Sequence, residues 1–98
     1  MEKVRVTAER WEHLIENEKA LAAVMTLSPG EVSGGPGHHG DSDQWLYVID
    51  GSGQVTIEGR EIPLEEGDLV LIEAYETHEV RGGDERLETL NLYVPPDY

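Results

Sequence analysis

Apolar and polar positions alternate most cleanly over residues 54–58, where Val55 and Ile57 share one face and Gln54, Thr56 and Glu58 the other. A period of two marks a strand with one buried face. The same period runs through residues 44–49, with Gln44, Leu46 and Val48 on the inward parity and Trp45 and Tyr47 on the outward one. Between these two strands Asp50, Gly51, Ser52 and Gly53 read as a hairpin connection, glycine supplying the positive φ. Further strands are predicted over 21–27, 61–64, 69–72, 78–81 and 87–94, separated by turn-forming residues such as Ser28-Pro29-Gly30, Glu66-Gly67-Asp68 and Gly82-Gly83-Asp84. Val4 and Val6 alternate with charged residues in a short first strand. Residues 7–17 admit two readings. Trp11, Leu14 and Ile15 fall at helical spacing behind a Thr7 cap, and they also fit an irregular strand. Residues 33–43 are almost entirely Gly, Pro, His, Ser and Asp, the composition of a loop or a strand end at a rim. Many short strands with regular turn signals predict an all-β sandwich or barrel, with a short N-terminal helix as one option.

Length and charge narrow the function classes. At 98 residues the chain is read as one domain. The 21 Asp and Glu against 7 Lys and Arg give a formal charge of −14, which repels a phosphate backbone, so neither nucleic acid nor an anionic membrane is an expected partner. No run of apolar residues is long enough to span a bilayer, and the opening Met1-Glu2-Lys3-Val4-Arg5 lacks the apolar core of a signal peptide, so a cytoplasmic location is expected. With no Cys, a bound metal must use His, carboxylate or amide oxygen.

Histidine spacing carries the candidate chemistry. His39 stands five positions before Gln44, which is followed by Gly51, and His78 stands eleven positions after Gly67. Imidazole is the commonest metal ligand, and two of them brought together with an oxygen donor would form a small metal pocket. The spacings resemble the two motifs of the cupin family. In that family the first motif runs from a glycine through two histidines and a glutamate to a second glycine, and the second from a glycine through proline and glycine to histidine and asparagine. On this chain His39 takes the second histidine, Gln44 the glutamate and Gly51 the closing glycine, while Gly67 opens the second motif and His78 takes its histidine. Gly37, Glu31, Glu73, Tyr75 and Gly82 depart from the pattern, at the first His, the opening Gly and the second motif's Pro, Gly and Asn.

The resemblance implies a double-stranded β-helix, or jelly-roll, with a core over residues 30–96 and an N-terminal arm or strands over 1–29. It also implies a divalent transition metal in the barrel. Imidazole suits Zn, Fe, Ni or Cu alike. His39 and His78 are the expected ligands, and Gln44 is either a third ligand or a hydrogen-bonding group. A turn over residues 40–43 would make His39 and Gln44 cross-strand neighbours, with His38 on the opposite face. A one-residue slip exchanges the two histidines, so His38 is a rival or an auxiliary ligand. Tyr75 in its rim turn is placed to close the pocket mouth. Outward-facing Trp45 and Tyr47 suggest a covered patch, and a homodimer is the expected cover. His13 is read as a surface residue, and the Gly34–Gly37 stretch lacks the lysine of a phosphate loop. Two functions of different class follow: a metal-dependent enzyme acting on a small polar metabolite, or a non-catalytic cupin with a degenerate site that binds a small ligand or serves a structural or regulatory role.

Overall fold

The computed structural model describes residues 1–34, 37–38 and 40–96. Eight strands follow in chain order: β1 (Trp11–Glu16), β2 (Leu21–Leu27), β3 (Asp43–Asp50), β4 (Ser52–Ile57), β5 (Arg60–Glu65), β6 (Leu69–Ile72), β7 (His78–Gly82) and β8 (Leu87–Val94). They form a five-stranded sheet in the order β1-β2-β8-β3-β6 and a three-stranded sheet in the order β5-β4-β7, with every strand pairing antiparallel. Sequence neighbours β2 and β3 are separated by β8, the crossed connectivity of a jelly roll.

Alternation decides what lies between the sheets. Leu46 and Val48 of β3, Val55 and Ile57 of β4, Leu64 of β5, Ile72 of β6, Val80 of β7 and Leu87 of β8 meet Met25 and Leu27 of β2 in one apolar core. Each such aliphatic side chain contributes roughly 1.5–3 kcal/mol by leaving water. The outward residues of β3, Trp45 and Tyr47, are 39% and 41% exposed, so the inward and outward parities fall as the sequence predicts.

The connection at Gly51 differs from the expected hairpin. β3 pairs with β6 and β8, whereas β4 pairs with β5 and β7, so at Gly51 the chain leaves one sheet for the other. Gly51 has φ +89°, and a Cβ there would lie 1.6 Å from the Arg86 carbonyl oxygen, so only glycine passes. The tight hairpin is instead β4–β5. Ile57 pairs with Arg60 across Glu58 and Gly59, both at positive φ (48° and 79°), the requirement of a type I′ turn.

Two N-terminal expectations are corrected or resolved. Val4 and Val6 lie outside any strand and are each 40% exposed, because two alternating valines supply no partner edge. Of the two readings of residues 7–17, the irregular strand is the one observed. β1 pairs with β2 through a bulge between His13 and Ile15, and the bulge shifts parity so that Leu14 and Ile15 are both half-buried. That is the spacing that mimics a helix. Among the described residues there is no helix, and none long and apolar enough to cross a membrane.

Candidate metal and ligand site

A cavity of about 330 Å³ opens between the sheets beside the apolar core. Gln44 reaches it from β3, His78 from β7, Tyr93 from β8, Met25 from β2 and Trp11 from β1, while Ser33, Gly37 and His38 come from the segment before β3. Contrary to the expected turn over residues 40–43, the described residues of that segment do not pair with β3, because both flanks of β3 are taken by β8 and β6. It lies along β7 instead. Val32 bridges to Arg81 and Gly37 to His78, with the Gly37 amide donating to the His78 carbonyl at 3.2 Å and the reverse bond at 2.8 Å. His38 thereby joins the wall that carries His78. His39 lies outside the described residues.

The hydrogen bonds of the two imidazoles distinguish their chemistry. His78 Nδ1 lies 3.2 Å from the Glu76 carbonyl, which only accepts, so a hydrogen bond there is donated by Nδ1–H, and in the neutral ring the lone pair is on Nε2. Metal-ligating histidines typically donate their other ring N–H in this way. His38 is the opposite case. Its Nδ1 accepts the Gly40 amide at 3.0 Å, so the neutral ring has its proton on Nε2 and presents a donor. His38 packs on Tyr75 with ring centroids 5.5 Å apart, and the Tyr75 hydroxyl donates to the Asp41 carboxylate. Tyr75 itself is 60% exposed, outside the cavity wall, and sits at φ +67°. Tyr75 thus holds a left-handed backbone, the conformation that glycine adopts without steric cost, at the position where the cupin motif has glycine.

Gln44 is 3% exposed, and its position is fixed by a buried relay. Its Nε2 donates to Asn91 Oδ1 at 2.8 Å, Asn91 Nδ2 donates to Thr89 Oγ1 at 3.0 Å, and Thr89 Oγ1 donates to the Met25 carbonyl at 2.8 Å. Gln44 Oε1 is buried with no hydrogen-bond partner among the described residues. Asn91 and Thr89 are both fully buried, and the sequence reading passed over them. Their signal was available, since both are polar residues at the inward parity of β8 between Leu87 and Tyr93.

As a test of fit for a metal, His78 offers a nitrogen of the right tautomer and Gln44 an unpartnered oxygen, so the residues suit a borderline cation. Among the described residues no three His, Asp or Glu side chains gather into a metal cluster. Among the described residues the cavity wall carries no carboxylate, although the chain has 21 Asp and Glu. Arg10, on the same wall, is tied back to Glu31 by an Nε to Oε2 bond of 2.7 Å, while Glu31 Oε1 accepts the Ser28 amide at 2.9 Å. The Ser28 amide, and then the guanidinium, hold the Glu31 carboxyl below the ordinary carboxylate range.

The cupin-domain family model matches residues 23–93, spanning β2 to β8. The chain belongs to the cupin family. Solved structures agree on the fold of this cupin. A cupin protein from Bacteroides fragilis superposes with a TM-score of 0.85 at 20% identity, covering 97% of this chain and 84% of that one. A KdgF from a Halomonas species gives 0.80 at 24% identity, covering 87% and 76%. A predicted oxalate decarboxylase from Thermotoga maritima gives 0.79 at 27% identity, covering 94% and 90%. No curated protein matches the chain.

Proposed function

We propose that this cupin holds a divalent transition metal between its sheets through His78, Gln44 and His39, and that a small polar metabolite reaches the site through the cavity. The observation that carries the reading is the contact of His78 Nδ1 with the Glu76 carbonyl at 3.2 Å. A neutral ring whose Nδ1–H faces the Glu76 carbonyl carries its lone pair on Nε2, and this ring lines the same cavity as the unpartnered oxygen of Gln44. When bound, such a metal would supply Lewis acidity toward a substrate oxygen. His38 takes a different part, its Nε2–H serving as a hydrogen-bond donor to an acceptor atom of the metabolite. The likeness to a predicted oxalate decarboxylase supports a small polar substrate.

The experiment is elemental analysis of untagged protein prepared without chelator, beside the His39→Ala/His78→Ala double variant. Near-stoichiometric metal in the wild type and its loss in the variant is expected. Equal, low metal in both removes the reading.

The second reading, a cupin whose degenerate site binds a small ligand without metal, is favoured by one observation, a cavity wall without a carboxylate among the described residues. A neutral amide where the family's motif has glutamate removes one charge opposite a dication. The two readings part on the elemental analysis.

We also propose that a second copy covers the outer face of the five-stranded sheet. Leu92, Trp45 and Leu71 form one cross-strand row and Leu90, Tyr47 and Leu69 the next. Leu69 is 61% exposed, and Trp45, Tyr47, Leu71 and Leu92 are each 38–41% exposed. In a chain of formal charge −14 these rows carry no Asp, Glu, Lys, Arg or His, so two copies can meet there without facing like charges. Sedimentation should give a dimer that Trp45→Glu/Leu71→Glu converts to monomer. A wild type that is monomeric at high micromolar concentration contradicts it.

A further inference from the structure

The order of donors and acceptors along the inner face of the large sheet can be worked out from one end. The Met25 carbonyl has no proton to give, so the bond at 2.8 Å consumes the single hydroxyl proton of Thr89. Thr89 Oγ1 can then only accept from Asn91, which must turn its NH₂ toward Thr89 at 3.0 Å. Asn91 is left offering Oδ1 to Gln44 at 2.8 Å, and Gln44 must answer with its own NH₂. Each amide orientation follows from the one before it, and the sequence of constraints ends with Gln44 Oε1 as the outermost group. That oxygen is buried and unpartnered, on a side chain that lines the cavity.

We infer that Asn91 and Thr89 are positioning residues, which lock the Gln44 amide so that the site presents a carbonyl oxygen and never an N–H at this point. The inference rests on the metal reading for its occupant. It limits the partner of Gln44 to an electron-pair acceptor or a hydrogen-bond donor, the metal on the proposed reading, and excludes a carboxylate oxygen from that position. Neither residue touches the occupant. Thr89 acts from β8 through Asn91, and its effect is on the freedom of a side chain one strand away. Without the hydroxyl, Asn91 loses the partner that fixes its orientation, and Gln44 is released with it.

Two readouts on the whole protein test this. The first is side-chain amide NMR of the metal-free protein, where the Gln44 NH₂ protons should exchange slowly with solvent. The second is titration with Co²⁺ alone, followed by calorimetry and by the cobalt absorption bands. Thr89→Val should remove the slow exchange and weaken Co²⁺ binding about 10–100-fold, the usual cost of losing an outer-shell partner. Thr89→Ser, which keeps the hydroxyl, should restore both. Unchanged exchange and affinity in Thr89→Val would overturn the inference. Should Thr89→Val fail to fold, Asn91→Ala decides, because it removes the acceptor of the Gln44 NH₂ directly. Loss of the slow exchange is then expected, and its retention overturns the relay. A wild type that binds no Co²⁺ refutes the metal reading instead, and the amide exchange still decides whether the relay positions Gln44.

Discussion

The two halves of the barrel interior are built from the same strands and behave differently. Toward β4, β5 and β6 the inward positions are Val55, Ile57, Leu64 and Ile72, which meet Leu46 and Val48 in a sealed apolar core. Toward β1, β2 and β7 the inward residues include Gln44, His78 and Trp11, which leave a cavity of about 330 Å³. β3 and β8 serve both halves. Along β8 the inward side chains run Leu87, Thr89, Asn91 and Tyr93, changing from aliphatic to polar within one strand. Alternation thus decides only which residues face inward. Whether the interior becomes core or site is decided by which residue types fill those positions and by whether an opposing side chain closes the space.

The largest expected effect breaks the core half. Leu46→Ala removes a fully buried side chain from close-packed neighbours and should cost about 2–5 kcal/mol, measured by denaturant unfolding. A cost below ~1 kcal/mol would mean that the two halves are not packed differently. Next, Gln44→Leu strands Asn91 Oδ1 without its donor and should cost about 1–3 kcal/mol, together with a loss of metal. His78→Ala sharpens the contrast from the other side. Its ring lines an open cavity, so stability should change by less than ~1 kcal/mol while metal is lost, and a large destabilisation would reassign His78 to the core.

The smallest effect concerns acid. Glu31 is held below its ordinary value of 4.5, so the stability it adds is fully present above that value and is lost as pH falls through the lowered one. The pair with Arg10 is exposed, so the effect is small. Glu31→Gln should therefore be slightly less stable than wild type near neutrality and equal to it in strong acid. A difference that grows toward low pH would reverse the sign and refute the assignment.

Much of this was legible in the sequence. Period-two alternation located most strands, and the inward parity of Gln44, Leu46 and Val48 is the one observed. Sheet membership was not legible. Asp50-Gly51-Ser52 reads as a hairpin, and only the Arg86 carbonyl packed against Gly51 reveals a crossing between sheets. The bulge in β1 hid a strand behind helical spacing for a related reason, since one extra residue destroys the period. At the site, spacing pointed to His78 and Gln44, but the role of Asn91 depends on a partner 47 positions away, which no local pattern encodes. The tautomers of His38 and His78 were equally invisible, being set by the Gly40 amide and the Glu76 carbonyl.

The most direct test of the central claim is the ring ¹⁵N spectrum of His78, recorded without metal and again with one equivalent of Zn²⁺. An Nδ1–H tautomer is expected in the metal-free protein, with a large shift confined to Nε2 when zinc is added. A metal-free ring protonated on Nε2, or an Nε2 signal that zinc leaves in place, would contradict the claim.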